Sequence, residues 1–295
     1  MARRTTRVLD PIYLMNTAEI FKESIRVILL YPTQFHSIST FLFSPLPISL
    51  FISHFLIHHF PKIPSSTFTI THNLFGPLPT MLSKTIVHII ICFPSSITFS
   101  LLGRAATVQA VSDIYSRISI DGRRLLMRSG SAWIKLLHTT FWELVIVFGL
   151  LGIFILSLVI VPKIFHAFGI CSEIFGFSGV LGVLGILYCV AFAHVMVLGN
   201  LARVISVLEG ECYGFESLLK AKTLMEGRRQ TALVIALLSN VGFRLVECVF
   251  EFRLCKGINL WEGPMLVSMY SSVLVFETVM NVVFYYSCKS FDDDQ

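Results

Sequence analysis

The stretch 140–161, which includes the run FWELVIVFGLLGIFILSLVIV, is almost entirely apolar and has Glu143 as its one charged residue. A helix needs about 20 apolar residues to cross the hydrocarbon core of a membrane. Inside that core no water satisfies the backbone N–H and C=O groups, so a spanning segment has to be a helix or part of a closed barrel. The stretch therefore predicts a transmembrane α-helix, and the rest of the chain has to be compatible with it.

Five further stretches have a comparable length and apolar character. They lie at roughly 38–60, 80–103, 175–198, 230–252 and 264–287. We predict an all-α integral membrane bundle of six transmembrane helices, with amphipathic interfacial helices on the cytosolic side. The predicted domains are a cytosolic N-terminal segment at 1–37, the six-span membrane domain at 38–288 and a short acidic cytosolic tail at 289–295.

The composition agrees with a membrane protein. Of the 295 residues, 55% are hydrophobic and 14% are charged, whereas about 25% of an average soluble domain is charged. The net charge of +5 raises the alternative of a nucleic-acid partner. However, the basic residues flank the apolar spans and form no continuous stripe. We therefore expect the lipid bilayer, and not nucleic acid, to be their partner.

The distribution of lysine and arginine predicts the orientation of the chain, because cytosolic segments of membrane proteins are enriched in both residues. Most of them fall before the first span, in the second and fourth connections and after the last span. The opposite side carries Lys62, Lys163, Arg253 and Lys256. We predict that both termini lie in the cytosol; the pattern does not distinguish the endoplasmic reticulum from the plasma membrane.

Two segments outside the spans, 16–30 and 203–220, have apolar residues at helical spacing and charged residues between them. Each is predicted to form an amphipathic helix. Such a helix lies in the membrane interface with its apolar side in lipid, or it packs beneath the bundle. The sequence leaves both alternatives open.

Charged residues inside the predicted spans are the first candidates for a functional site, because each costs about 2.5–3.5 kcal/mol to insert at the centre of a helix. Arg244 and Glu247 share one face of the fifth span, and Glu277 lies near the middle of the sixth. We predict that Arg244 pairs with Glu247 or with Glu277 inside the bundle. Such a pair either locks two helices together or takes part in a proton or ion relay. Glu143, near the end of a span, is predicted to reach the headgroups.

Small residues form a second pattern. Glycines recur at every third position of the fourth span, at Gly176, Gly179, Gly182 and Gly185. The third span contains Gly149 and Gly152. Because small residues let helix backbones approach closely in lipid, we predict that the third span packs on the fourth through these glycines.

Metal and redox chemistry receive little support. His54, His58 and His59 have the spacing of one histidine box of a membrane desaturase, but such a site needs three boxes. We therefore predict no metal and no other cofactor. The seven cysteines contain no CxxC pair. Cys171 and Cys255 fall in predicted outer loops, where they either form a disulfide or stay unpaired. Nucleotide-binding and hydrolase motifs are absent from the sequence.

Three stretches carry a resemblance to known proteins. They are ESIRVILLYP at 23–32, the segment 105–142 that begins AATVQAVSDIY, and the segment 198–237 that begins LGNLARVISVLEGECYGFESLLKAK. Together they resemble a family of uncharacterised plant multi-span membrane proteins. The last of them is also distantly similar to the membrane domain of bacterial glycerophosphodiester phosphodiesterases. The resemblance implies a six-span membrane protein and no particular activity, since the chain has no room for a separate phosphodiesterase domain.

These observations leave three classes of function. The first is a non-enzymatic membrane protein that organises, scaffolds or regulates other membrane or cytosolic proteins. The second is a transporter or channel for a lipid or small solute, which would use Arg244, Glu247 and Glu277. The third is a membrane enzyme of lipid metabolism based on the histidines. The prediction favours the first class and leaves the oligomeric state open.

Overall fold

The computed structural model describes residues 16–59, 90–118, 121–167, 174–256 and 261–292, and every regular element in these ranges is a helix. In chain order the helices are α1 (Thr17–Leu30), α2 (Pro32–Ile38), α3 (Pro45–His59), α4 (Ile90–Tyr115), α5 (Gly122–Ala167), α6 (Ile174–Leu208), α7 (Phe215–Leu224), α8 (Arg229–Lys256) and α9 (Glu262–Asp292). A π-helical turn, Ser39–Phe43, continues α2, and another, Ser96–Ser100, lies within α4. The predicted all-helical class is confirmed.

Five of these helices are long and apolar enough to cross a membrane: α4, α5, α6, α8 and α9. A sixth candidate is the pair formed by α2 with its π turn and α3, which bend by 44° at the break between them. The break coincides with Pro45, whose ring is incompatible with an uninterrupted helix. The described chain therefore contains five or six candidate spans, in the order that the apolar stretches predict.

The second candidate span differs from the predicted one. We predicted that it ends near Gly103 and that Arg104 begins a cytosolic loop, but α4 continues to Tyr115. No proline follows Arg104 within α4, and the buried Ala106 and Val111 hold the later turns inside the protein. The helix stops at Ser116 and Arg117, where Arg117 adopts a positive φ of 56°. Arg104 consequently lies near the middle of a candidate span.

The N-terminal amphipathic helix is present as α1. Its first turn is closed by Glu19, whose carboxylate accepts a hydrogen bond from the backbone N–H of Asn16 at 2.9 Å, as in a capping box. Ile20, Ser24 and Val27 form one buried stripe. Leu29, with Phe21, Ile25 and Leu30, remains exposed. The helix therefore packs on the protein along one stripe and keeps a separate apolar surface outside it.

The second amphipathic segment, predicted as one helix over 203–220, is divided between two helices. α6 runs as far as Leu208, and α7 begins only at Phe215. Gly214, at the start of α7, has a φ of 70°, and a Cβ atom there would overlap the ring of His138. The backbone turns at this point because glycine alone tolerates both the positive φ and the close approach.

The described helices fall into two compact units. The first contains Ile134–Ala236 and both ends of the chain, Met1–Ile20 and Asn281–Gln295. The second contains Phe21–Trp133 and Leu237–Met280. Each unit thus combines residues that are far apart in sequence, and several long helices contribute to both.

In the first unit, α5 and α6 pack through an aromatic stack and an ion pair. The rings of Phe154 and Tyr188 stack with centroids 4.4 Å apart. Nearer the other end, Arg203 lies 3.5 Å from the carboxylate of Glu143, and both side chains are largely buried. The prediction that Glu143 reaches the headgroups is therefore wrong, because Arg203 on α6 supplies a counter-charge to Glu143 within the unit.

The chain beyond α6 is fixed by Glu209. Its carboxylate forms an ion pair with Lys220 on α7 and accepts a hydrogen bond of 2.7 Å from the phenol of Tyr285 on α9. Burial acts to raise the pKa of Glu209, but the hydrogen bonds from Lys220 and Tyr285 and the positive charges of Lys220 and Lys289 together lower it. This carboxylate therefore stays ionised and holds three helices at the end of the unit.

The glycine pattern does not have the predicted use. A Cβ atom added at Gly179, Gly182 or Gly185, or at Gly149 or Gly152 of α5, would meet no other atom within 4 Å. Side-chain surroundings at Gly176 lie outside the described part of the chain. The tight contact between α5 and α6 is at Gly199, where an added Cβ would overlap the carboxylate of Glu143. Gly179, Gly182 and Gly185 make no close contact, because α5 and α6 approach each other near Glu143 and Arg203 instead.

We expect Gly199→Ala to destabilise the protein and Gly182→Ala, the matched control, to leave it unchanged or slightly more stable. The new methyl at 199 displaces the carboxylate of Glu143 from Arg203, and such overpacking costs about 1–3 kcal/mol. At 182 the methyl meets open space, so only the helix propensity gain of up to about 1 kcal/mol remains. Thermal unfolding of both variants in nanodiscs measures the difference. Equal melting temperatures would contradict the assigned contact.

Candidate functional site

The charged residues of the predicted site lie in two ion pairs, one of which is exposed and the other buried. On α8, Arg244 donates a hydrogen bond of 2.9 Å to Glu247, one turn further along the same helix. The side chain of Arg244 is 84% exposed, although it lies near the middle of a candidate span. Of the two predicted partners of Arg244, the structure therefore places Glu247 beside it.

Glu277 forms its ion pair with Arg104, a residue that the sequence analysis assigned to a loop. The guanidinium of Arg104 on α4 donates a hydrogen bond of 2.8 Å to the carboxylate of Glu277 on α9. The two side chains are only 15% and 8% exposed. Both residues lie near the middle of their candidate spans, so this is a buried ion pair between two apolar helices. The signal that could have identified Arg104 as part of a helix is the sequence AATVQAV that follows it, which contains no charged residue, glycine or proline.

Tyr270 is near both pairs and was not a predicted site residue. It precedes Glu277 by two helical turns on α9, so the two residues share a face. Its phenol lies within electrostatic range of Glu247, Glu277, Arg104 and Arg244. We call these five residues the polar track. It comprises a buried pair on α4 and α9, an exposed pair on α8, and a phenol on α9 that is affected electrostatically by both.

Aromatic rings line the polar track on one side. The ring of Phe243 lies 5.1 Å from that of Tyr270, and the ring of Phe51 lies 6.2 Å from it. Phe51 in turn stacks on Phe250 at 4.2 Å. Apolar surroundings strengthen the attraction within an ion pair and also raise the cost of leaving either charge unpaired. Arg104 and Glu277 therefore attract each other strongly, and either charge would be costly to bury without the other.

The polar track has different chemical groups at its buried end and at its exposed end. Arg104 and Arg244 supply guanidinium groups that only donate hydrogen bonds, Glu247 and Glu277 supply carboxyl groups, and Tyr270 supplies a phenol hydroxyl that both donates and accepts. At the buried end the track joins α4 to α9. At the exposed end, Arg244 has guanidinium N–H groups beyond the one that donates to Glu247, and its side chain is open to the surroundings of α8.

The histidine hypothesis finds no further ligands in the part of the chain that the structure describes, where no three His, Cys, Asp or Glu side chains converge. The ring of His54 lies edge-on to Phe250 at 6.2 Å. The side chains of His58 and His59 fall outside that part. Cys171 also falls outside it, and Cys255 is an exposed free thiol.

We expect Glu277→Gln to destabilise the protein much more than Glu247→Gln, which makes the same substitution in the exposed pair. The first variant leaves Arg104 buried without its counter-charge, a loss of about 3–5 kcal/mol. The second changes a pair whose two residues both lie on α8, one turn apart, so its loss leaves the contacts between helices in place. Thermal unfolding in nanodiscs provides the measurement. The double variant Arg104→Met with Glu277→Leu should recover most of the stability, because it leaves no buried charge; failure to recover would show that the pair acts as more than a lock.

A comparison with protein families places these features in a wider group. A family model described as "Domain of unknown function (DUF8558)" matches residues 9–295. No curated protein and no solved structure matches the chain. The match includes α4, α8 and α9 and therefore all five residues of the polar track. Because it covers nearly the whole length, the chain belongs to the DUF8558 family.

Proposed function

We propose that this chain is a multi-pass integral membrane protein without enzymatic activity, and that it binds other membrane proteins to organise or regulate them. The observation that carries this proposal is the exposed Arg244–Glu247 pair near the middle of α8. No catalytic arrangement of side chains is needed for this role. It requires a surface inside the membrane that lipid alone does not satisfy.

The physical argument is the cost of exposing charge to hydrocarbon. An ion pair in contact with acyl chains loses the water that normally solvates its outward-facing polar atoms. Arg244 lies too near the centre of its span for a short reach to either headgroup layer. A neighbouring transmembrane helix that presents a carboxylate, amide or carbonyl oxygen to Arg244 removes this cost. The exposed face of α8 around Arg244 is therefore the surface that we assign to a protein partner.

The exposed surfaces of α5 and α6 differ from the surface around Arg244, because lipid alone can cover them. In α5 none of the most apolar stretch is buried, and in α6 almost none is. These surfaces carry side chains such as Ile153 and Ile186, with no charge among them. Lipid tails cover such a surface without cost, whereas Arg244 and Glu247 call for a polar partner.

The orientation of the chain across the membrane is part of the same proposal. Lysine and arginine favour a cytosolic position for both termini, which places α1 and α7 on the cytosolic side together with Lys220 and Lys222. These helices would then be available to cytosolic partners. The resemblance to plant multi-span proteins, and more distantly to bacterial phosphodiesterase membrane domains, is consistent with such a role and stays a prediction.

A photoreactive amino acid at Val241, one turn before Arg244 on the exposed face of α8, tests the assignment. After illumination in the native membrane we expect a discrete protein adduct, because a partner helix covers this face. The adduct should disappear when Arg244→Leu is added. The same photoreactive residue at Ile153, on the apolar surface of α5, is the matched control and should give lipid adducts.

The mass of the adduct identifies the partner class, since a second copy of this chain doubles the mass and a different protein gives another value. Lipid adducts alone from position 241 would contradict the proposal. So would a protein adduct that Arg244→Leu leaves unchanged, because the exposed ion pair would then play no part in the contact.

A second candidate function is transport, and the polar track supports it. Two carboxylates and a phenol lie between two fixed cations, and the series leads from the exposed Arg244 to the buried Glu277. Proton-exchanging groups in such a series inside a membrane are the usual components of a proton relay. This reading requires that water or solute enter at the exposed end.

Proteoliposomes that contain a pH-sensitive dye and a fluorescent phospholipid test the transport reading. If the track conducts protons or moves lipid, the wild type should show a flux, and Glu247→Gln should reduce it at least tenfold. Glu247 is the chosen site because its substitution is expected to leave the fold intact. Arg26, whose ion pair with Glu23 lies on the surface of α1, provides a control as Arg26→Gln. No flux above that of empty vesicles would remove this candidate.

A further inference from the structure

A cavity with a mostly apolar surface and a few hydroxyl groups lies in the same unit as the polar track. It has a volume of about 430 Å³ and lies between the bent first span and the beginning of α9. Ser39, Thr40 and Ser44 line one wall, and Pro264, Ser268 and Ser271 are on the other. Its volume is within the range of ligand-binding pockets, about 300–1,000 Å³.

The local sequence explains why helices separate here. The turn Ser39–Phe43 is π-helical and is followed by the 44° bend at the break before Pro45. The hydroxyl of Ser44 donates a hydrogen bond of 2.5 Å to the carbonyl of Thr40 and so satisfies one backbone acceptor at the bend. On the facing side, Gly263 contributes no side chain. Wide π turns of this kind are frequent at functional sites.

Ser271 is the residue that indicates a ligand. It is one of the residues that line the cavity, and it is 1% exposed. Its hydroxyl oxygen has no hydrogen-bond partner within the part of the chain that the structure describes. A buried hydroxyl without a partner costs free energy, since water no longer satisfies it. A bound molecule that brings a hydroxyl or a carbonyl to Ser271 removes this cost.

The lining also selects the charge and shape of such a molecule. Serine and threonine hydroxyls both donate and accept hydrogen bonds, and no lysine, arginine, aspartate or glutamate of the described ranges lines the cavity. A charged headgroup would have no counter-charge there. Toward the opening the lining changes, because Ile48 and Ser268 are exposed and Val267 is partly so. Of the hydroxyl groups, those of Ser39 and Ser271 are on buried residues, whereas Thr40 and Ser268 are exposed together with Ile48.

We propose that this cavity binds the glycerol end of a neutral lipid that carries a free hydroxyl, such as a diacylglycerol, with Ser271 as its hydrogen-bond partner. The glycerol hydroxyl and the ester carbonyls enter between the bent span and α9. The acyl chains extend past Ile48 into the surrounding bilayer. This site does not depend on the partner-binding role of Arg244, because the two use different residues.

Photo-crosslinking with a diacylglycerol that carries a diazirine and an alkyne in one acyl chain tests the proposal on the full chain in phosphatidylcholine nanodiscs. Ser271→Ala should weaken binding by roughly fivefold to tenfold, the value of one hydrogen bond. Ser272→Ala is the matched control, since this neighbouring hydroxyl donates to the carbonyl of Ser268 and does not line the cavity. Val267→Trp should abolish labelling by filling the space. Melting temperatures show whether each variant is folded.

Competition with unlabelled lipids distinguishes the ligand classes. Unlabelled diacylglycerol should displace the probe, while triacylglycerol, which lacks the hydroxyl, and phosphatidic acid, which is charged, should not. Displacement by a sterol alone would overturn the assignment to a glycerolipid. Equal labelling of the wild type, Ser271→Ala and a folded Val267→Trp variant would overturn the site itself. If Ser271→Ala does not fold, the Val267→Trp result and the competition series decide the question.

Discussion

The ion pair between Arg104 and Glu277 is the interaction on which the second unit depends. It joins α4 to α9 near the middle of both candidate spans, and each partner is buried. In an apolar environment the two charges are strongly attracted, but each is costly without the other. The pair therefore fixes the alignment of the two helices along their axes. Two turns earlier on α9, the ring of Tyr270 packs against Phe243 of α8.

The first unit uses the same device with different geometry. Glu143 and Arg203 join α5 to α6, and the missing side chain of Gly199 leaves room for the carboxylate. Beyond the spans, Glu209 binds both Lys220 and Tyr285. In both units, then, buried or partly buried carboxylates determine helix positions. Lipid supplies no hydrophobic force between apolar helices, so packing contacts and polar pairs have to provide the specificity.

Arg244, Glu247 and Ser271 have polar atoms that the described chain does not fully use. The pair on α8 is exposed in the middle of a span, and the hydroxyl on α9 is buried beside a cavity. These features are the basis for a protein partner at α8 and a neutral lipid beside α9. The two proposals rest on one principle: polar groups removed from water require partners, and where the chain does not supply them another molecule has to.

The amino-acid sequence by itself determined the helical class, the order of the apolar spans and the helix α1, because these depend on local hydropathy, on periodicity and on the rule that a backbone in lipid satisfies itself. It also identified Arg244, Glu247 and Glu277 as unusual. Only the tertiary structure decided that Glu277 pairs with Arg104, that Gly199 and not the glycine row makes the close contact, and that Ser271 lines a cavity. These outcomes depend on the rotation and axial shift of each helix against its neighbours. Many side chains distant in sequence set those positions together, so no local pattern encodes them.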